Sequence, residues 1–392
     1  MAPSVPRRSR RLVGLVGTAA AVLVVSGCGG GLLSSEEEST SDGPIVLGMI
    51  TPLSGSSSAI GPYMKNGAQL AVDEINADGG VDGRDLELVA EDGACDAKTA
   101  AAAANKLVTK QVDVSVGGYC SGATLPTLPI FDKAGVPMII PAANSTELVD
   151  QGLDSVFLIN GTGTQQADAA LTYMEKVGAG KVALIDDNTS YSVDIANLTA
   201  DLLEESGGPE LASHESVTAG ESDYSANVNS VLKTDPDFVY WTGYYQEGGL
   251  IIRQLRQAGY EGKIMVGDGS VDTKLLQIAG EQNSGGILAT MTQTPDTIAG
   301  AEDWINNYKE EFGAEPGPYS TQSYDAVRLA AEAVKEAGGT EGDKVIDALE
   351  GIDGFQMFSG PLKFTEEHTL STGGFQILVA KDGKFVLEDD LQ

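Results

Sequence analysis

The chain has 392 residues, of which 57 are acidic and 24 are basic, so its formal net charge is −33, and its mean hydropathy is −0.06. This excess of negative charge argues against nucleic acid and anionic lipid as partners bound through charge, because both are themselves anionic. The length predicts two domains.

The first 27 residues have the order of a bacterial export signal. Four arginines, at positions 7, 8, 10 and 11, precede an apolar run over residues 12–25, which ends at Ser26, Gly27 and Cys28. The run is about 14 residues long, and a membrane-spanning helix needs about 20. We therefore predict a signal peptide over residues 1–27, with cleavage that leaves Cys28 as a lipidated first residue. The alternative is an ordinary secretory signal with a stray cysteine.

The segment after Cys28 favours lipidation. Residues 29–43, GGGLLSSEEESTSDG, are small, polar and acidic, as expected of a flexible tether over residues 28–43. Removing the signal takes four positive charges from the formal net charge of −33 and leaves −37. We expect a protein held at the extracytoplasmic face of the membrane by its lipid.

Two cysteines remain after Cys28 is assigned to lipid. Cys95 and Cys120 are an even pair in an exported chain, which predicts a disulfide bond between them. The alternative is a metal site with two thiolates, but the only histidines available as partners are His214 and His368. No metal and no cofactor are predicted.

Strands and helices are predicted to alternate in the first half of the mature chain. Apolar runs predict strands, and apolar residues at helical spacing predict helices, the first of which is expected to begin near Pro62 and end at Gly79 and Gly80. The predicted strands cover residues 45–50, 86–90, 112–116 and 137–140, and a second helix covers 97–109.

The same alternation returns after Gly163. Helices are predicted over residues 166–177, 192–206 and 247–258, and strands over 182–186, 238–241 and 264–266. The segments 161–163 and 290–294 lie between the two units and are predicted crossovers; the alternative is ordinary connecting loops. Gly161 and Gly163 begin a G-x-G-x-x-G pattern, but Gln166 stands at its last position, so no dinucleotide site is predicted.

The pattern predicts an α/β fold with two doubly wound parallel-sheet lobes and a ligand cleft between them. The first lobe is expected to combine residues 44–163 with 292–370, and the second to combine residues 164–291 with 371–392. Ligands bind such lobes at the carboxyl ends of the strands.

Several motifs occur together in order. They are IVLGMITPLSG from Ile45, EINADGGVDGRDLELV from Glu74, VGGYCSGAT from Val116, GVPMIIPAAN from Gly135 and FVYWTGYYQEGGLIIRQLRQAGY from Phe238. Together these segments resemble the branched-chain amino acid binding proteins of ABC importers, over about residue 45 to the C-terminus. The resemblance implies that three crossover segments join the two lobes, that Cys95 and Cys120 are paired, and that the protein is a monomer that delivers its ligand to permease subunits in the membrane.

The resemblance also implies where an amino acid would bind. Ser121 and the backbone around Ala142 and Asn144 would hold its carboxylate, and Asp268 would hold its ammonium group. Asn144 stands where the family usually has threonine or serine. Each of these residues also has an interpretation without a ligand. Ser121 could be a loop serine that caps the following helix at Thr124, and Asp268 could be a turn aspartate before a glycine.

Aromatic residues are expected to close over the ligand. Tyr191 and Tyr244 match such positions in the family, and Tyr319 lies near another. The side-chain pocket is predicted at Ile60 and Tyr319, with Ile60 in place of a tyrosine that the family often has. For each tyrosine alone, the alternative is a packing residue.

The predicted function is capture of an amino acid by closure of the two lobes, followed by transfer to an ABC permease. Within this class, the alternative ligands are an amide, urea or a small organic acid, and the alternative partner is a membrane receptor that senses the closed form. An enzyme is not predicted, since the sequence contains no G-x-S-x-G and no H-E-x-x-H motif. No catalytic residue is proposed.

Overall fold

The computed structural model describes residues 43–371, 374–389 and 391. The predicted signal peptide, the lipid attachment at Cys28 and residues 28–42 of the predicted tether lie outside the described residues. Within the described ranges, no helix is both long enough and apolar enough to cross a membrane.

The first sheet is built from the N-terminal part of the described chain. Its strands are β1 (Ile45–Thr51), β2 (Leu86–Asp92), β3 (Val114–Ser115), β4 (Met138–Ile140) and β5 (Val156–Leu158). The helices between them are α1 (Ile60–Ala77), α2 (Ala97–Thr109), α3 (Ser121–Thr124) and α4 (Leu128–Lys133). All strand pairs are parallel, in the order β2-β1-β3-β4-β5. Helices cover both faces of a sheet of this kind, so most of its strand residues are buried.

The chain then builds a second sheet. Its first strands are β6 (Lys181–Asp186), β7 (Glu210–Ser216), β8 (Phe238–Trp241), β9 (Lys263–Val266) and β10 (Leu288–Met291). The helices around them are α5 (Gly163–Lys176), α6 (Ser190–Ser206), α7 (Ser225–Leu232), α8 (Tyr245–Gln257), α9 (Thr273–Ala279) and α10 (Glu281–Ser284).

After β10 the chain returns to the first sheet. It forms α11 (Glu302–Phe312), α12 (Ser320–Ala337), α13 (Gly342–Gly351) and the short strands β11 (Gln356–Met357) and β12 (Gly360–Pro361). Helix α12 packs along α1. The two helices approach closely because Gly67 has no side chain: a Cβ atom there would lie 2.0 Å from the carbonyl oxygen of Ser320.

The last two strands, β13 (Gln376–Lys381) and β14 (Lys384–Asp389), complete the second sheet. Its order is β14-β13-β10-β9-β8-β6-β7. The pairs β14-β13 and β13-β10 are antiparallel, and all other pairs are parallel. Asp382 and Gly383 make the turn of this hairpin with φ of 51° and 78°. An Asp-Gly pair favours such a turn, since both central residues need positive φ.

The two α/β lobes predicted from the sequence are confirmed, although several elements differ from the prediction. Thr290 lies inside β10, so the crossover predicted at residues 290–294 begins only after Met291. Strand β7 was not predicted, because its Ser, His and Glu residues are mostly partly exposed and do not form an apolar run. The hairpin of β13 and β14 makes the second sheet mixed rather than wholly parallel.

The predicted disulfide bond joins Cys95 and Cys120, whose Cα atoms are 5.4 Å apart. Cys95 lies in the turn after β2, and Cys120 directly precedes α3. The bond therefore ties together two loops at the carboxyl edge of the first sheet.

Candidate ligand-binding site

Asp268 carries the most deeply buried carboxyl group of the predicted site. It lies in a short turn just after β9, at the carboxyl end of the strand, and is 2% exposed. The hydroxyl of Tyr191 donates to its Oδ1 atom over 2.6 Å, and that of Tyr319 donates to its Oδ2 atom over 2.7 Å. Burial raises the pKa of Asp268 above its ordinary value, while these hydrogen bonds oppose the rise. Among the described residues, the side chains that donate to it, those of Tyr191, Tyr319 and Asn144, are all uncharged.

Four tyrosines surround this carboxyl group, and we call Tyr119, Tyr191, Tyr244 and Tyr319 the tyrosine cluster. The ring of Tyr119 lies 5.9 Å from that of Tyr244 and 5.5 Å from that of Tyr319, and Tyr191 lies 5.1 Å from Tyr244. Burial raises the pKa of all four hydroxyls well above the ordinary value, so they remain neutral donors. Tyr119 also links the two lobes, since its hydroxyl donates to the carbonyl oxygen of Gly269 over 3.3 Å.

Tyr319 reaches Asp268 from an unusual backbone conformation. It directly precedes α12, and its φ is 64°, in the left-handed region that bulky side chains seldom adopt. Residues held in that region cost about 1–3 kcal/mol and are concentrated at functional sites. In this conformation Tyr319, which precedes a helix of the first lobe, places its hydroxyl within hydrogen-bond distance of Asp268 in the second lobe.

Two glycines allow Tyr191 to pack against the Asp268 turn. A Cβ atom on Gly267 would lie 2.6 Å from the hydroxyl oxygen of Tyr191, and one on Gly269 would lie 2.9 Å from its ring. Both contacts are shorter than carbon atoms tolerate, so any side chain would push the ring away. The sequence Gly267-Asp268-Gly269 is thus a requirement of the site, rather than only a turn motif.

Asn144 follows β4 and faces Asp268 from the first lobe. Its Nδ2 atom donates to Oε1 of Gln166 over 2.9 Å and approaches Oδ2 of Asp268 at 3.4 Å. Its Oδ1 atom is buried and has no hydrogen-bond partner among the described residues. The structure thus brings Asn144 and Asp268 together from different lobes.

Ser121 and Ala142 lie beside Asn144. Ser121 begins α3, and its hydroxyl oxygen accepts a hydrogen bond from the backbone N–H of Ser145 over 3.3 Å. Its hydroxyl therefore contacts the loop after β4, while the amide of Thr124 donates to the carbonyl of Cys120 instead. The carbonyl of Ala142 accepts from the side-chain amide of Asn160 over 2.8 Å. The structure thus brings together the side-chain oxygen of Ser121 and the backbone after β4.

The two residues of the predicted side-chain pocket lie in different surroundings. Tyr319 is part of the tyrosine cluster, whereas Ile60 is the first residue of α1 and is buried in the hydrophobic core that also contains Tyr119 and Tyr319. Polar contacts to Asp268 come from Tyr191, Tyr319 and Asn144, and none of them involves the start of α1.

The lobes also meet outside the tyrosine cluster. The N–H and the hydroxyl of Thr146, in the first lobe, donate to Asp194 on α6 over 2.9 and 2.7 Å. Next to them, the hydroxyl of Ser190 donates to Glu147 over 2.5 Å, and Tyr245 donates to the carbonyl of Ser56. We call these the inter-lobe contacts. They show that the described conformation has its lobes closed on each other.

A cavity of about 670 Å³ lies beside the tyrosine cluster rather than within it. Pro318 and Val271 belong to its lining and are chain neighbours of Tyr319 and Ser270. The lining also carries charged residues of both signs, among them Asp272, Lys309 and Lys384. We place the candidate site at Asp268 instead, because its carboxyl group is buried where the lobes meet and is contacted by Tyr319 and Asn144 of the first lobe and Tyr191 of the second.

A model of the periplasmic binding protein family matches residues 44–384. The chain belongs to this family. It is 31% identical over 334 residues to the leucine-, isoleucine-, valine-, threonine- and alanine-binding protein of Pseudomonas aeruginosa, an alignment that covers 85% of this chain and 89% of that protein.

Solved structures of other periplasmic binding proteins have the same fold. The leucine-binding protein LivK of Thermotoga maritima matches with a TM-score of 0.81 at 29% identity, over 88% of this chain and 97% of that chain. The branched-chain amino acid transporter substrate-binding protein LivJ of Streptococcus pneumoniae, in complex with isoleucine, matches with a TM-score of 0.79 at 32% identity, over 87% and 97%. The family predicted from the sequence motifs is confirmed.

Several residues at the candidate site of this periplasmic binding protein were not predicted from its sequence. Tyr119 was part of a recognised motif but was not assigned a role. Gln166 was considered only as the residue that breaks a dinucleotide motif, and Thr290 only as part of a crossover. Asp194 had no signal of its own, since it is one of many acidic residues on helices and its partner Thr146 lies 48 residues away in the chain.

Proposed function

We propose that the chain is the extracytoplasmic solute-binding component of an ABC importer and that it captures an amino acid with an uncharged side chain between its lobes. The observation that carries the proposal is the buried carboxyl group of Asp268, which is bonded by neutral donors and lies next to an unpaired buried acceptor on Asn144.

The charge of Asp268 points to a cationic ligand group. A carboxylate without a cation is costly to bury, and the raised pKa of Asp268 reflects this cost. An ammonium group in contact with it forms a charge-assisted hydrogen bond, which contributes about 1.5–3 kcal/mol. Asp268 therefore favours solutes with an amine over amides, urea and simple organic acids.

The other end of an amino acid needs hydrogen-bond donors. The hydroxyl of Ser121 already accepts from the N–H of Ser145, so its own hydrogen is free to point elsewhere. It lies at the start of α3, next to the loop that carries Asn144. We assign Ser121, together with the backbone from Ala142 to Asn144, to the ligand carboxylate.

The tyrosine cluster suits an uncharged side chain. Its rings offer apolar faces, and the hydroxyls of Tyr119, Tyr191 and Tyr319 bond Asp268 or a backbone atom. The relatives named above are described as binding leucine, isoleucine, valine, threonine or alanine. We assign Tyr244 and Tyr119 to cover the ligand's side chain.

The proposal also covers the mature form of the protein. We propose lipid attachment at Cys28, the lobe boundaries at 163/164, 291/292 and 370/371, and a monomeric protein that docks on permease subunits. Support comes from the order of the N-terminal motifs and from the packing of α12 on α1, which returns residues after 292 to the first lobe.

Isothermal titration of the mature protein against the twenty amino acids tests the ligand class. We expect binding of one or more amino acids with uncharged side chains, and a loss of at least about 10-fold in Asp268→Asn, as expected for a hydrogen bond to a charged group. Asp186→Asn is the matched control, since Asp186 is equally buried at the end of β6 but bonds His214 and Ser216. Tight binding of a solute without an amine, together with no heat from any amino acid, would overturn the proposal.

A further inference from the structure

We propose that Asn144 presents a fixed carbonyl acceptor to the nitrogen of the ligand, that Gln166 and Thr290 hold it in this orientation, and that the site therefore selects an ammonium group with at least two hydrogens over N,N-dimethylated and quaternary ones. The inference rests on the proposed function and names a selectivity within it.

The acceptor is the Oδ1 atom of Asn144. The residue is 1% exposed, and this oxygen has no hydrogen-bond partner among the described residues. A buried acceptor without a donor is unfavourable, so native proteins rarely keep one without a reason. Here the oxygen belongs to a side chain whose nitrogen touches the carboxyl group that we assign to the ligand's ammonium.

The amide nitrogen of Asn144 is already engaged. It donates to Oε1 of Gln166 over 2.9 Å and lies 3.4 Å from Oδ2 of Asp268. Rotating the amide by 180° would set its oxygen against these two acceptors. Both neighbours therefore hold the amide with its nitrogen turned towards them and its oxygen turned away.

Gln166 is itself held in one orientation. It is fully buried, and its Nε2 atom donates to the hydroxyl oxygen of Thr290 over 2.8 Å. That hydroxyl also lies 3.1 Å from the hydroxyl of Tyr240 and 3.5 Å from the carbonyl oxygen of Val266, and either can accept the Thr290 hydrogen while the Thr290 oxygen accepts from Gln166. The orientation thus passes from β8 and β9 through Thr290 and Gln166 to Asn144.

The fixed carbonyl distinguishes between kinds of nitrogen. A primary or N-methylated ammonium group carries at least two hydrogens and can donate to Asp268 and to Asn144 at once. An N,N-dimethylated group carries one hydrogen and leaves one of the two acceptors without a donor. A cluster of tyrosines alone would also suit a quaternary ammonium group, which binds aromatic faces. The unpaired Asn144 oxygen decides between the two, because only a nitrogen that carries hydrogens can satisfy it.

Titration with L-leucine, N-methyl-L-leucine and N,N-dimethyl-L-leucine tests the selectivity. We expect the wild-type protein to prefer L-leucine over N,N-dimethyl-L-leucine by about 10- to 100-fold, the range for an unsatisfied buried group, and N-methyl-L-leucine, which keeps two hydrogens, to lose much less affinity. Thr290→Val and Gln166→Met should each reduce this preference by about 5-fold or more, since they release the Asn144 amide. Thr242→Val is the matched control, as Thr242 is a buried threonine of the same lobe that bonds Ser192 and Ile185. A preference that is equal in all four proteins would overturn the inference.

A measurement without ligand separates this inference from the proposed function. The side-chain amide signals of Asn144 in ¹⁵N-correlated spectra should shift in Gln166→Met and Thr290→Val and stay in place in Thr242→Val. Unchanged signals in the first two variants would overturn the orientation by Gln166 and Thr290, whether or not an amino acid binds. Shifted signals, with no heat from any amino acid, would uphold that orientation and overturn the proposed function together with the ligand selectivity.

Discussion

The hydroxyl of Tyr319 donates a hydrogen bond to Oδ2 of Asp268 over 2.7 Å, although the two residues come from different lobes. Tyr319 precedes a helix that packs on the first sheet, and Asp268 follows a strand of the second. The carboxyl group of Asp268 therefore has all of its hydrogen-bond donors only when the lobes are closed. Closure thus stabilises its ionised form.

Replacing Tyr319 by Phe should weaken amino-acid binding by about 10-fold, because an ionised Asp268 then loses a donor worth about 1.5 kcal/mol or more. Titration calorimetry at pH 7 measures the change. Tyr308→Phe is the control, since Tyr308 is fully buried on α11 and its hydroxyl lies 3.5 Å from the carbonyl oxygen of Tyr63. Equal affinities of wild type and Tyr319→Phe would show that the hydroxyl does not support the bound state.

Ligand binding should become weaker as the pH falls towards 4. Burial raises the pKa of Asp268 in the free protein, and an ammonium ligand lowers it again, so binding releases a proton near the free protein's pKa. Below that pKa, affinity should fall by about tenfold per pH unit. Calorimetry in buffers of different ionisation enthalpy detects the released proton, and Asp268→Asn should abolish the release. A release that persists in this variant would assign the proton to another group.

Gly269→Ala should abolish most binding while the lobes remain folded. Its Cβ atom would lie 2.9 Å from the ring of Tyr191 and 3.0 Å from that of Tyr244. Gly285→Ala provides the comparison, because a Cβ atom there has nothing within 4 Å. Thermal unfolding shows whether each variant is folded, and titration measures its affinity. Normal affinity of Gly269→Ala would mean that the two tyrosines can move without loss of the site.

Asp194→Ala should destabilise the closed state, because Asp194 accepts two hydrogen bonds from Thr146 across the lobes. Closure is linked to ligand binding, so the expected result is a several-fold weaker affinity, mainly through faster dissociation. Stopped-flow measurements give the two rates. Asp201→Ala removes an exposed carboxylate from the same helix and should leave both rates unchanged.

The free energy of unfolding should fall as the pH rises from about 4 to 6, and Asp325 should be one cause. Burial raises its pKa from the ordinary value of 3.8 to about 6. In this window the unfolded chain has lost the proton that the folded chain keeps, so stability is lost as the pH rises, by about 3 kcal/mol for this group. Asp325→Asn should flatten the slope, whereas the exposed Asp303→Asn should not. Denaturant unfolding at a series of pH values measures both.

Much of the fold could be predicted because its elements have strong local signals. The apolar run at β1 and the helical spacing in α2 gave bounds within a residue of those observed, or identical to them. Strand β7 has no such signal, since its position depends on pairing with β6 rather than on its own apolar residues.

Some residues of the candidate site could also be predicted from the sequence, and others could not. Asp268, Tyr191 and Asn144 could be assigned because their motifs resemble a known family, and the structure brings them together. The role of Gln166 could not be predicted, as it arises from the approach of α5 to the loop after β4. The left-handed backbone of Tyr319 was also invisible in the sequence, because a tyrosine gives no sign of positive φ.

Helix α12 packs on α1 although more than 240 residues separate the start of α12 from the end of α1. Neither lobe is a continuous stretch of chain, so no single proteolytic cut can release an intact half. The first lobe cannot finish folding until β6 to β10 have also emerged, and contacts so distant in sequence make folding slow. An exported chain of this kind spends longer incomplete than one with consecutive domains, and it depends more on protection from aggregation during that time.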